Sequence, residues 1–322
     1  MVEYFKSALC GNGKVYATNS LLTNTLLQAD GYAISPAIYD ANYIDFLIDF
    51  CKSHKIDAIL SLFDIDLPIL AKHKHRFLSI GVKLVISDYI VTQTCNDKWL
   101  TYKFLSGIGL PQPLCYISLK EAHSAIDDGS LAFPLFIKPR WGMGSIGIYK
   151  VDNIEELDVF FKKLHRDIFQ TYLKYESAID ADSCIIIQQA LDGQEYGIEI
   201  LNDLNANYVA TFAKKKIAMR AGETDIAITI DPTPFQDTAR IISAKLKHIA
   251  MLDADCFVTT DGKIFVLEMN ARFGGQYPFS HIAGANVPLQ IVQWLNGEST
   301  NINLLTPQIG VKSCKELTTT IF

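Results

Sequence analysis

The stretch DADCFVTTDGKIFVLEMNARFGG, from Asp253 to Gly275, constrains this chain more than any other. It reads as two strands joined at Asp261-Gly262, a two-residue turn signal of the type I′ kind between apolar runs. With that turn Asp255 lies directly opposite Glu268, strand alternation carries Asn270 and then Arg272 on the same face, and Cys256, Val258, Phe265 and Leu267 take the other. Directly opposed carboxylates hold their Cβ atoms roughly 5 Å apart and repel. A compensating charge is needed. Carboxylate and amide oxygens suit hard Mg²⁺, which keeps several waters and bridges to phosphates. Should the turn slip by one residue, the same acids face solvent, and the sequence leaves that alternative open.

The rest of the chain is long enough to house such a hairpin in a multi-lobed protein. At 322 residues and 49% hydrophobic it supports about two or three domains. Up to residue 95 strand-like runs (KVYAT, DAILSLF, KLVIS) alternate with helical spacing, which predicts a parallel α/β domain of the doubly wound kind. A helix DKWLTYKFLSGIG follows, and residues 96–190 read as a small α+β lobe. Residues 191–322 carry long strands, a helix over 233–247, the acidic hairpin and a closing helix PLQIVQWLNG.

Charge and cysteine usage narrow the class of function. A net charge of -6 argues against a nucleic-acid surface, and no basic block or long apolar run argues for a membrane. Seven cysteines without a C-x-x-C pair fit a reducing cytoplasm rather than a disulfide framework. Small-molecule chemistry in the cytoplasm is the expectation.

The segment KPRWGMGSIGIYKV holds Gly142, Gly144 and Gly147 at G-x-G-x-x-G spacing. A strand, not a helix, is expected after it, so the dinucleotide fingerprint fails and no Walker ending is present. Strand, glycine loop and strand instead describe a flap whose amides can cover phosphates, with an ordinary hairpin as the alternative. His165-Arg166-Asp167 mimics a kinase catalytic loop, but Tyr172 stands where Asn is required and no D-F-G follows.

Taken in order, Lys98 in NDKWLTYKFL, Lys138 in FIKPRWGMGSIG, the run IIIQQALDGQEYGIEI and the E-x-N-x-R element of the hairpin resemble the ATP-grasp enzymes. The branch most similar holds the carbamoyl phosphate synthetase large-subunit halves and related carboxylate-amine ligases. The resemblance implies an ATP-grasp fold: an N-terminal Rossmann-like parallel domain, a small lid lobe and a C-terminal antiparallel lobe. It implies ATP with Mg²⁺, or Mn²⁺ in its place. Lys98 and Lys138 would meet the phosphates under Gly142, Gly144 and Ser145, with Gln188 and the backbone of Gln189, Ala190 and Leu191 at the adenine and Glu195 at the ribose. Asp255, Glu268 and Asn270 would be the metal ligands, and Arg272 would face the transferred phosphoryl group. Arg220, in KKKIAMRAGETD, is a further candidate for a phosphate or carboxylate, with a solvated strand end as its alternative.

The function so implied is a ligase that phosphorylates a carboxylate and passes the acyl phosphate to an amine. Phosphorylation of bicarbonate or carbamate, and an ATP-binding regulatory or scaffold protein without turnover, are the alternatives. The partners are small carboxylates and amines, and a homodimer is left open. Asp64 and Asp66 end an apparent strand where α/β sheets bind ligands, Asp66 with helix capping as its alternative role. The family's leading strand is expected to be missing, because the chain opens inside a helix at VEYFKSAL.

Overall fold

A computed structural model describes residues 1–144, 146–317 and 319. In the N-terminal region β1 (Tyr16–Asn19) runs parallel to β2 (Gly31–Ile34), and β3 (Ala58–Ile59) parallel to β4 (Lys83–Leu84). Parallel pairing matches the sequence reading. Among the described residues these strands form two parallel pairs, β3 and β4 holding their ladder for two residues each. Helix Tyr43–His54 packs its stripe of Tyr43, Ile44, Leu47, Ile48 and Cys51 onto Leu67, Leu70, Phe77 and Ile86.

The small lobe is an antiparallel sheet of β5 (Cys115–Tyr116), β6 (Leu135–Pro139), β7 (Tyr149–Val151) and β8 (Ile185–Gln189), in the order β5-β8-β6-β7. Helix Ile154–Ile168 covers it and starts at a reciprocal cap: Asn153 accepts from the Glu156 amide, while Glu156 accepts from the Asp152 amide at 2.9 Å. The kinase-like triplet at His165 sits in the last turn of this helix, where Asp167 is paired with Lys163.

The C-terminal sheet joins β9 (Gly193–Asn202), β10 (Tyr208–Arg220), β11 (Glu223–Ile230), β12 (Met251–Thr259), β13 (Ile264–Asn270) and β14 (Lys312–Cys314) in the order β13-β12-β9-β10-β11-β14. One face buries Ile198, Ile200, Ala254, Cys256 and Val266 against helix Gln236–Leu246. Helices Tyr89–Asn96 and Lys98–Gly107, which straddle the boundary expected at residue 95, add Val91, Cys95 and Leu105 to the same core. The other face packs Phe212, Met251, Phe273 and Tyr277 with helix Val287–Leu295, and the first helix, Val2–Leu9, lies there through Tyr4 and Phe5. No described helix is long and apolar enough to cross a membrane.

Behind this sheet His248 is fully buried, its Nε2 3.1 Å from the Ile200 carbonyl and its Nδ1 facing the Asn202 amide at 3.4 Å. Burial pushes its pKa from 6.5 down to about 4. The unfolded chain therefore takes the proton first, so this contribution is complete above pH 6.5 and is eroded as pH falls toward 4. Urea denaturation of wild type between pH 7 and 5 should show a loss that shrinks by about 1–2 kcal/mol in His248→Gln. An equal pH dependence in the two proteins would dissociate the acid sensitivity from His248.

Candidate functional site

The hairpin reaches the expected pairing by an unexpected route. The turn is not a two-residue one: Thr259 and Lys263 close it, the Gly262 amide returns to the Thr259 carbonyl at 2.9 Å, and Gly262 takes φ 82°. Thr260, Asp261 and Gly262 thus form a three-residue loop ending in a left-handed glycine. This shifts the register by one residue, so Cys256 pairs with Val266 and Phe257 with Phe265. A bulge between Asp255 and Cys256 shifts it back, and Asp255 stands opposite Glu268 as the sequence predicts. The bulge also corrects the apolar face: Val266 and Met269 fill the core beside Cys256, while Phe265 and Leu267 stay outside it.

Each of the two opposed acids has its own ammonium. Lys216 Nζ lies 2.7 Å from Asp255 Oδ1 and 2.6 Å from Glu195 Oε1, bridging the expected metal and ribose acids. Lys98 Nζ sits 3.6 Å from Glu268 and donates to the Gly142 carbonyl of the glycine loop. Lys98 opens its helix, where Asp97 caps the Trp99 and Leu100 amides and is gripped by both the Nε and Nη2 of Arg140 at 2.8 and 2.7 Å. Burial pushes Glu268 up, but Lys98, Lys138 and Arg272 outweigh it and hold the carboxyl below its ordinary value. Asp255 goes the other way: burial raises it against the pull of Lys216.

From the small lobe Lys138 donates to Gln188 Oε1 at 2.9 Å across the β6–β8 ladder. Burial, then the neighbouring Lys98, lower its pKa. Beyond Gln188 the Gln189 amide is engaged by the Leu114 carbonyl at 2.9 Å and the Ala190 amide by Pro134 at 3.3 Å, ahead of Leu191. In the flap Gly144 and Gly147 take φ 63° and 72°, conformations that favour glycine. Ser145 lies outside the described residues.

Arg272 meets a partner from the N-terminal region. Its Nη2 is 2.5 Å from Asp64 Oδ2, and Nη1 donates to the Phe273 carbonyl at 3.0 Å. Its buried Nε has no acceptor among the described residues. Asp66 does not cap its helix: its carboxylate accepts from the Tyr43 hydroxyl at 2.9 Å, and burial raises it to about 6. Arg220 ends β10 at a tight turn, paired with Asp225 at 2.5 Å and donating to the Lys315 carbonyl. Neither of these partners belongs to the acidic hairpin.

Three groups that motif reading passes over belong to the same surface. Asp253 pairs with Asn270 across the hairpin and accepts from Gln276, and burial followed by the nearby Asp255 lifts it to about 7. Gly274 lacks a side chain because a Cβ there would come within 1.9 Å of the Asp253 carboxylate. Lys214 and Lys216, in the basic run for which a solvated strand end is the alternative reading, are both buried. Strand alternation, which puts residues 212, 214 and 216 on one face, is the signal that marks them.

Comparison with known proteins bears on the family and the fold. Residues 1–85 match the PylC-like N-terminal domain family and residues 131–278 the ATP-grasp domain family. The vancomycin/teicoplanin A-type resistance protein VanA of Enterococcus faecium is 24% identical over 73% of this chain and 66% of its own length. The D-alanine–D-alanine ligase of Bacillus velezensis is 27% identical over 62% of this chain and 58% of its own. In these matches the chain thus spans no more than two thirds of the curated relatives. Among solved structures, the L-amino acid ligase of Bacillus licheniformis superposes with a TM-score of 0.71 at 20% identity, over 91% of this chain and 72% of that one. Biotin carboxylase of Campylobacter jejuni, in its β,γ-ATP complex, gives 0.73 at 14% identity, over 94% and 70%.

Proposed function

We propose that this chain, which carries an ATP-grasp domain within an ATP-grasp fold, is an ADP-forming ligase that joins a carboxylate to an amine. The observation that carries the reading is the pair Asp255 and Glu268, directly opposed and each held by a lysine, beside Lys138 and Arg272. That surface supplies the positioning and charge neutralisation that phosphoryl transfer asks of a protein. The γ-phosphoryl group of ATP passes to a substrate carboxylate, ADP leaves, and an amine then attacks the acyl carbon and expels phosphate.

Lys98 and Lys138 neutralise the phosphates beneath Gly142 and Gly144, and Ser145 belongs to the same flap. Gln188 accepts from the adenine amino group, with Gln189 to Leu191 along its edge, and Glu195 takes the ribose hydroxyls. Arg272, oriented by Asp64, stabilises the transferring phosphoryl group and the later oxyanion. Arg220 is a second anion contact available from the β10–β11 tip.

Among the described residues no three His, Cys, Asp or Glu side chains converge as a metal cluster. The donor set still suits Mg²⁺ or Mn²⁺: two carboxylates and the Asn270 amide, with the remaining positions left to phosphate oxygens and water. Asp255, Glu268 and Asn270 would hold it, and its chemistry there is to neutralise charge on the phosphates. Lys216 and Lys98 hold these carboxylates now, and such an ion would take over part of that counter-charge. We assign the reaction to the cytoplasm, a reading supported by the free state of all seven cysteines.

The test is ADP release from Mg-ATP over pairs of amino acids and small carboxylates, repeated with hydroxylamine in place of the amine. A ligase gives pair-dependent ADP and, with hydroxylamine, a hydroxamate. ADP without hydroxamate for every stimulating carboxylate removes the acyl-phosphate route, and ATP binding without turnover leaves a regulatory nucleotide-binding protein.

A further inference from the structure

Two buried acids stand outside the nucleotide and metal ligands: Asp64, which pairs with Arg272, and Glu176. Asp64 is 4% exposed and Glu176 8%. Glu176 spends one carboxylate oxygen on Asn96 Nδ2 at 2.5 Å, and the other, Oε2, is buried without a donor among the described residues. An unpaired carboxylate oxygen in such a place is costly unless a cation completes it.

Tyr172 and Tyr175 precede this acid in sequence. Tyr39, from the N-terminal region, stacks on Tyr175 of the small lobe with ring centroids 4.3 Å apart at 24°. Burial raises the Tyr39 hydroxyl, with Glu176 next among the causes and then Tyr175 and Tyr172. Burial first, then Glu176 and Asp64, raise the Tyr172 hydroxyl. Carboxylates against aromatic faces select an organic cation, and an alkylammonium satisfies both through its N–H groups and its charge. A phosphate or carboxylate is rejected by the same charges.

We propose that Asp64 and Glu176, walled by Tyr39, Tyr172 and Tyr175, bind the acceptor amine of the ligase reaction as its ammonium. This deepens the ligase reading and, for the catalytic step, rests on it. Glu176 takes one proton from the ammonium; the freed amine forms the C–N bond at the acyl carbon. The C–O bond to phosphate breaks, and phosphate leaves with that electron pair and the second nitrogen proton. Burial first, opposed by Asn96, holds the Glu176 carboxyl above its ordinary value, which suits a proton acceptor. Asp64 holds the ammonium against Arg272, so nitrogen and acyl phosphate meet at one edge.

Ligand-detected NMR with ethylammonium, and ethanol as its neutral counterpart, tests the site without turnover. Saturation transfer to ethylammonium but not to ethanol is expected in wild type, with affinity reduced roughly tenfold or more in Glu176→Gln. Tyr39→Leu, at an exposed position, should weaken the same probe without touching the acids. Equal binding in wild type and Glu176→Gln, or equal binding of ethylammonium and ethanol, overturns the site. Once a substrate pair is known, Glu176→Gln should raise the amine KM about tenfold or more. An unchanged KM also sinks the amine site yet spares the ligase. Absence of ADP with every carboxylate sinks the ligase, while the NMR arm still decides the site.

Discussion

Glu268→Gln is expected to lose about 10²–10³-fold of Mg²⁺-dependent ADP release while folding as wild type does. The amide keeps the shape of the side chain opposite Asp255 and removes its charge. Structure asks little of Glu268: its recorded ion-pair partner is Lys98 at 3.6 Å, and its side chain is 26% exposed. Chemistry asks more. Without Glu268 a divalent ion faces one carboxylate instead of two, and Lys98 loses the counter-charge that holds it near the Gly142 carbonyl. Nucleotide affinity measured without metal should therefore hold or rise, whereas the metal-dependent rate collapses. A coupled ADP assay beside a thermal melt checks both, and a wild-type rate in this variant would remove Glu268 from the metal set.

That Asp255 and Glu268 are opposed is legible in the sequence, although the reason differs from the one the turn suggests. Asp261-Gly262 reads as a two-residue turn, whereas the chain makes a three-residue loop and restores the register with a bulge beside Asp255. Two local shifts cancel, and the alternation of the strand survives on the far side of the bulge. Asp253 follows from the same alternation, two residues before Asp255, yet no metal motif draws attention to it. Arg272 and Asp64 are another matter. They lie 208 residues apart in sequence and meet because the N-terminal region packs beside the C-terminal sheet, through helices Tyr89–Asn96 and Lys98–Gly107 and through Val85 against Phe273. No local pattern encodes such a contact, nor the Tyr39–Tyr175 stack. The three lysines from 214 to 216 show the reverse case: composition suggests a solvated strand end, but a strand between two others buries every second residue whatever its charge.

Lys214 turns that rule into the largest stability effect expected of one substitution here. Its Nζ lies 2.6 Å from Glu199 Oε2 and 2.7 Å from the Ser280 hydroxyl, and both charged side chains are 0% exposed. Lys214→Met removes the only recorded ammonium on Glu199, whose Oε1 is already without a donor among the described residues. The cost should be about 3–5 kcal/mol, because a carboxylate is left buried without its counter-charge. Pairing the change with Glu199→Leu should recover much of that loss, since an apolar pair of similar volume needs no desolvation. Urea denaturation of the two single variants and the double variant closes the cycle. A loss below about 1 kcal/mol in Lys214→Met would mean that the pair is not buried as described. Activity separates structure from field. Glu199 stands opposite Asp253 on the neighbouring strand and helps to raise its pKa. The double variant should therefore regain stability yet ionise Asp253 more readily than wild type, shifting the acid limb of ADP release to lower pH.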